Sequence, residues 1–68
     1  MAEVLANTIR AAREARGWTQ ADLAERIGVT RKTINTVENG VFVPSTIIAL
    51  KIAHAFEMRV EELFHLQD

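Results

Sequence analysis

Thr19-Gln20-Ala21-Asp22-Leu23-Ala24-Glu25-Arg26-Ile27-Gly28-Val29-Thr30-Arg31-Lys32-Thr33-Ile34-Asn35-Thr36-Val37-Glu38-Asn39-Gly40 is the stretch that decides the fold. Thr19 and Thr30 each stand just before a run of helical periodicity, where a hydroxyl caps orphan backbone N–H groups. Asp22 lies three residues after Thr19 and completes a shortened capping box. Gly28 and Gly40 follow those runs, where a helix commonly ends on a left-handed residue. The spacing predicts helices over 20–27 and 31–39, joined only by Gly28-Val29-Thr30. Two helices on so short a glycine-containing turn make a helix-turn-helix. Their close, steep crossing needs a small residue in the first helix, and Ala24 supplies it. Ile34 and Val37 then pack on Leu23 and Ile27.

The same punctuation extends outward. Gly17 ends a helix over about 5–16. Trp18 can staple onto Leu23, as Val29 can onto Ile34. Pro44 keeps the third loop extended and Ser45 caps a helix over 46–56. A last helix covers 60–66; Arg59 is a poor N-cap, so that helix is expected to fray. On helix 46–56, Leu50, Ala53 and Ala49 define the expected core arc, with Ile52 and Phe56 beside it. No segment sustains the period-2 alternation of a strand. The expectation is one all-α domain over 1–68, a five-helix bundle.

Composition bounds the function. The chain has 68 residues, no cysteine, one proline and three glycines, and is 49% hydrophobic. It is an ordered small domain without disulfides or thiolate metal sites. The net charge is −1, which excludes a polycationic coat for nucleic acid or a polybasic membrane anchor. Residues 1–40 hold six basic and five acidic side chains, +1, and the rest two against four, −2. The N-terminus lacks an export signal's basic start, and no apolar run approaches a membrane span. A cytoplasmic location is expected. His54 and Glu57 are spaced as a metal pair but lack a third ligand, and no cofactor is implied. No base accompanies Ser45 and no phosphate-binding glycine loop exists, so no enzyme is expected.

On helix 31–39, Ile34 and Val37 face inward, while Arg31, Lys32, Asn35, Thr36 and Asn39 face out. That outward face carries cations and hydrogen-bonding groups and no carboxylate, whereas a plain solvated face mixes Glu with Lys.

Residues 12–40, with the ending Val60-Glu61-Glu62-Leu63-Phe64, resemble the XRE family, the helix-turn-helix of phage Cro and repressor proteins, in its short single-domain form. The resemblance spans roughly 7–66. It implies binding to duplex DNA with helix 31–39 in the major groove. Carried over, Arg31, Lys32 and Thr36 address base edges, with Asn35 as a further candidate. Gln20, Thr30, Thr33, Asn39 and Arg10 address phosphates; Gln20 alternatively is a plain helix opener. Arg13 and Glu38 match a partly buried ion pair that holds the recognition helix. Trp18 reads as core rather than as a base-stacking residue.

Two departures stand out. Val41-Phe42-Val43 replaces polar residues common in the family's loop, and Ile47 and Ile48 fall outside the core arc. Surplus apolar surface of this kind marks an interface. The expected homodimer contact uses Val41, Phe42, Val43, Ile47 and Ile48, with Phe64 and Leu66; alternatively these residues only close a small core. No small-molecule ligand is evident. The expected function is a transcriptional regulator, a repressor that occupies its operator as a homodimer, with a protein-binding antitoxin or anti-repressor as the alternative.

Overall fold

The computed structural model describes residues 4–67, so residues 1–3 and 68 of the expected domain lie outside it. The order is β1 (Val4–Asn7), α1 (Ile9–Ala15), α2 (Gln20–Ile27), α3 (Arg31–Glu38), α4 (Thr46–Phe56), α5 (Val60–Leu63) and β2 (Phe64–Gln67). The caps of the inner helices have plain causes. Asp22 N–H donates to Thr19 Oγ1 at 3.0 Å and Thr19 N–H to Asp22 Oδ2 at 2.8 Å. Thr33 N–H donates to Thr30 Oγ1 and Ile48 N–H to Ser45 Oγ, both at 3.2 Å. Gly28 ends α2 at φ +72°, a left-handed conformation that side chains disfavour.

Five helices form, yet the fold is not all-α. The helices expected over 5–16 and 60–66 are shorter, and each gives up its outer end to a strand. β1 and β2 pair antiparallel, with Leu5 opposite Leu66 and Asn7 opposite Phe64. Thr8 N–H donates to Leu63 O at 2.9 Å and Thr8 Oγ1 to Glu62 O at 3.2 Å. These bonds satisfy carbonyls that a short terminal helix would leave open. The partners lie some sixty residues apart, and four-residue strands are too short to display a period. Arg59 is the poor N-cap expected, its side chain making no cap hydrogen bond, but its N–H donates to Glu62 Oε1 at 2.8 Å and ties the start of α5.

The core gathers Ile9, Leu23, Ala24, Ile27, Ile34, Val37, Ile52, Ala53, Phe56, Leu63 and Phe64. Every α2–α3 packing residue expected from sequence is buried in it. The arc on α4 differs from expectation. Ile52, Ala53 and Phe56 are buried, whereas Leu50 is 47% exposed. This helix is apolar nearly all round, so its own sequence does not fix which face turns inward; its neighbours do. Trp18 is half-buried and stacks on Phe56 with ring centroids 5.2 Å apart. Arg26 lies 4.0 Å from the Trp18 ring centroid, and Arg16 donates to Phe56 O at 2.8 Å.

Candidate nucleic-acid interface

α3 is held from three sides. Its inner stripe, Ile34 and Val37, is 1% exposed at both positions. At its C-terminus, Asn7 Nδ2 donates to Val37 O at 3.0 Å while Asn7 Oδ1 accepts from Ile9 N–H at 3.2 Å. This link between the first strand, α1 and α3 escaped the sequence reading. The local signal was an Asn two residues before the first apolar helical position, a common turn-and-cap residue.

The third anchor is ionic. Arg13 Nε donates to Glu38 Oε2 at 2.8 Å and Arg13 Nη2 to Glu38 Oε1 at 3.2 Å. Arg13 Nη1 donates to Trp18 O at 2.9 Å. The Glu38 side chain is 3% exposed. Its hydrogen bonds hold the Arg13 guanidinium above its ordinary pKa, against the opposing cost of burial. Arg13 therefore stays charged and ties α1 to α3.

A polar chain runs from this pair to the surface. Gln20 Nε2 donates to Glu38 Oε1 at 3.1 Å and to Asn35 Oδ1 at 3.2 Å. Asn39 Nδ2 donates to Asn35 Oδ1 at 3.0 Å and to the Asn35 carbonyl at 2.9 Å. Both Gln20 amide hydrogens are thus engaged, and a phosphate contact through that amide requires one bond to be exchanged.

The other expected contacts divide into free and engaged groups. Arg31, Lys32 and Asn35 are exposed, and among the described residues no ion pair involves Arg31 or Lys32. Thr36 is half-buried, and its hydroxyl donates to Thr33 O at 3.0 Å. Its methyl is the part left for a partner. The Thr30 and Thr33 hydroxyls are 3.1 Å apart beside the α3 N-terminus. Arg10 lies 3.6 Å from Glu14, an exposed pair that does little to hold it in place. Of the expected dimer residues, Val41, Phe42, Val43, Ile47 and Leu66 are exposed. Ile48 is half-buried against the core, and Phe64 is only 7% exposed. Phe64 therefore offers little surface of its own, although it lines a surface hollow beside Pro44. Leu50, 47% exposed, lies one helical turn after Ile47 on α4.

Among the described residues, α3 is the only acid-bearing helix whose acid is removed from its outer face: the Glu38 side chain is buried and paired, so the exposed side is cationic and amide-bearing. A helix fits the roughly 12 Å major groove of B-DNA. Among the described residues no helix is long and apolar enough to cross a membrane. His54 and Glu57 gather no third carboxylate or imidazole among the described residues.

Comparison with known proteins agrees with this geometry. The helix-turn-helix family model HTH_3 matches residues 9–63. The uncharacterized HTH-type transcriptional regulator YgzD of Bacillus subtilis is 42% identical over 62 residues, covering 91% of this chain and 94% of that protein. The antitoxin HipB of Escherichia coli is 37% identical over 54 residues, 79% of this chain and 57% of HipB. The crystal structure of the restriction-modification controller protein C.AhdI from Aeromonas hydrophila is similar with a TM-score of 0.75 and 33% identity, covering 79% of this chain and 82% of that one. The chain belongs to the XRE-type helix-turn-helix family, that of HTH-type transcriptional regulators.

Proposed function

We propose that the chain is a sequence-specific duplex-DNA-binding regulator, a repressor that acts by occupying its operator as a homodimer. The observation that carries this reading is the outer face of α3, where Arg31 and Lys32 are exposed without ion-pair partners and the helix's one acid is buried. Arg31 and Lys32 suit guanine O6 and N7, and the Thr36 methyl suits a thymine methyl. Thr30, Thr33 and Asn39 address phosphates, joined by Arg10 once it leaves Glu14. Gln20 contributes through the positive N-terminal end of α2.

One helix reads only a few base pairs, and a two-fold dimer reads two half-sites about 34 Å apart. The exposed apolar residues Val41, Phe42, Val43 and Ile47 support the dimer. Phe42 and Val43 line a hollow of about 220 Å³ together with Leu5, Pro44 and Phe64. With a net charge of −1, the non-specific attraction to phosphate is modest, so affinity leans on base contacts and on pairing of copies.

The test is selection from a random duplex pool, followed by affinity measurement over a salt series. Two related half-sites, and binding that weakens as salt rises, are expected. An enriched pool with no common sequence overturns the reading. The similarity to HipB supports a second reading, a protein-binding antitoxin; a stable complex with a partner protein and no salt-sensitive DNA binding would favour it.

A further inference from the structure

The direction of every hydrogen bond around Asn35 can be fixed by elimination. Both Glu38 carboxylate oxygens accept from the Arg13 fork, so that side chain presents acceptors only. The Gln20 atom facing it at 3.1 Å must therefore be the amide nitrogen. That same nitrogen faces the Asn35 side chain at 3.2 Å, so Asn35 must present its oxygen there. From the other side, the Asn35 backbone carbonyl also only accepts. The Asn39 atom at 2.9 Å from it is accordingly the amide nitrogen, and it reaches the same Asn35 oxygen at 3.0 Å. Two acceptor-only anchors, one on each side, thus orient three amides that would otherwise be free to turn over.

The consequence falls on Asn35. Its Oδ1 has two donors and is filled, while its exposed Nδ2 has no bond among the described residues. A free asparagine reads adenine with two bonds, accepting from N6 and donating to N7. Asn35 lacks the accepting half of that contact. Resting on the DNA-binding reading above, we propose that Asn35 is a donor-only contact to the DNA. It gives its Nδ2 hydrogens to an acceptor on the DNA and refuses the adenine pairing. The acceptors available are O6 and N7 of guanine, O4 of thymine, N7 of adenine and phosphate oxygens; adenine is disfavoured because its N6 amino group, beside N7, finds no open acceptor on Asn35. Gln20 and Asn39 are positioning residues for this purpose, since both act through Asn35.

The experiment compares sequences selected from a random duplex pool by the wild-type chain, by Asn35→Ala and by the double variant Gln20→Met, Asn39→Ala. Asn35 is exposed, so its truncation leaves the core intact. One expected result is a site position that loses about tenfold discrimination in Asn35→Ala. The wild type selects guanine or thymine there, and adenine enters in the double variant, where Oδ1 is released. If the acceptor is instead a phosphate, Asn35→Ala weakens all sequences evenly. A neutral methylphosphonate at one position of the half-site then abolishes the difference from wild type. Adenine selected by the wild type at the Asn35-dependent position overturns the proposal. So does an Asn35→Ala variant unchanged in affinity and preference, or an even loss that no methylphosphonate position removes. A wild-type chain that retains no duplex at all fails at the underlying DNA-binding reading, and the proposal falls with it.

Discussion

Arg13 and Glu38 join α1 to α3 through two bonds of 2.8 and 3.2 Å between fork and carboxylate. The pair is buried, with Glu38 3% exposed, and neither partner can be removed without stranding the other. Glu38→Ala would leave Arg13 Nε and Nη2 and one Gln20 hydrogen without an acceptor. Loss of one partner in a buried pair costs about 3 kcal/mol. Glu38→Ala and Arg13→Ala are each expected to lower the unfolding free energy by that much, read as a lower urea midpoint with an unchanged m-value. The double variant Arg13→Met, Glu38→Leu should recover most of the loss, because no charge is left stranded. Additive losses in that double variant would refute the account.

Gly28 and Glu57 both end helices in the left-handed region, at φ +72° and +56°. A Cβ on Gly28 would meet nothing within 4 Å, so Gly28→Ala pays only backbone strain. That strain is about 1 kcal/mol. Glu57 already carries the same strain at the C-cap of α4. Glu57→Gly is expected to raise stability by about 0.5 kcal/mol, less than the full strain because glycine also gains freedom in the unfolded chain. Opposite shifts in thermal midpoint for the two variants check this. A destabilising Glu57→Gly would mean that the Glu57 side chain makes a contribution beyond its backbone.

Asp22 serves as the acid of the α2 capping box. Its hydrogen bonds from Thr19, the backbone one first, hold its carboxyl below the usual carboxylate range. A depressed folded-state pKa gives stability that is present above the unfolded value, near 3.9, and fades as pH falls through the folded value. Asp22→Ala is therefore expected to be less stable than wild type at pH 7, with the difference shrinking in acid. Urea midpoints measured at both pH values decide it; a gap that stays constant would show that the carboxylate's charge is irrelevant to the cap.

What could be read from the sequence was local. Thr19, Asp22, Gly28, Thr30 and Ser45 carry their structural roles within a few neighbours, so the inner helices emerge with near-correct bounds. The pairing of Leu5 with Leu66 is set by two chain ends meeting, which no local window contains. The facing of α4 went astray for a related reason, since a helix apolar on all sides leaves the choice to its surroundings. The site divides in the same way. The cationic, acid-free face of α3 is a one-helix pattern. The Gln20–Asn35–Asn39 chain depends on how α2 lies across α3, and only the folded arrangement brings these amides together.

The apolar patch yields the last prediction. Val43 and Ile47 are 70% and 66% exposed, so neither supports the fold of a single copy. If they pack against a second copy, association stabilises the folded state and the thermal midpoint rises with protein concentration. Val43→Asp with Ile47→Asp places charges where two apolar surfaces would meet. This variant is expected to sediment as a monomer with unchanged helix content and a concentration-independent midpoint. DNA affinity should fall most for sites with both half-sites and least for an isolated half-site, because only the former uses the linkage between copies. A wild-type chain that sediments as a monomer at micromolar concentration, or a variant that still dimerises, would remove this patch from the interface.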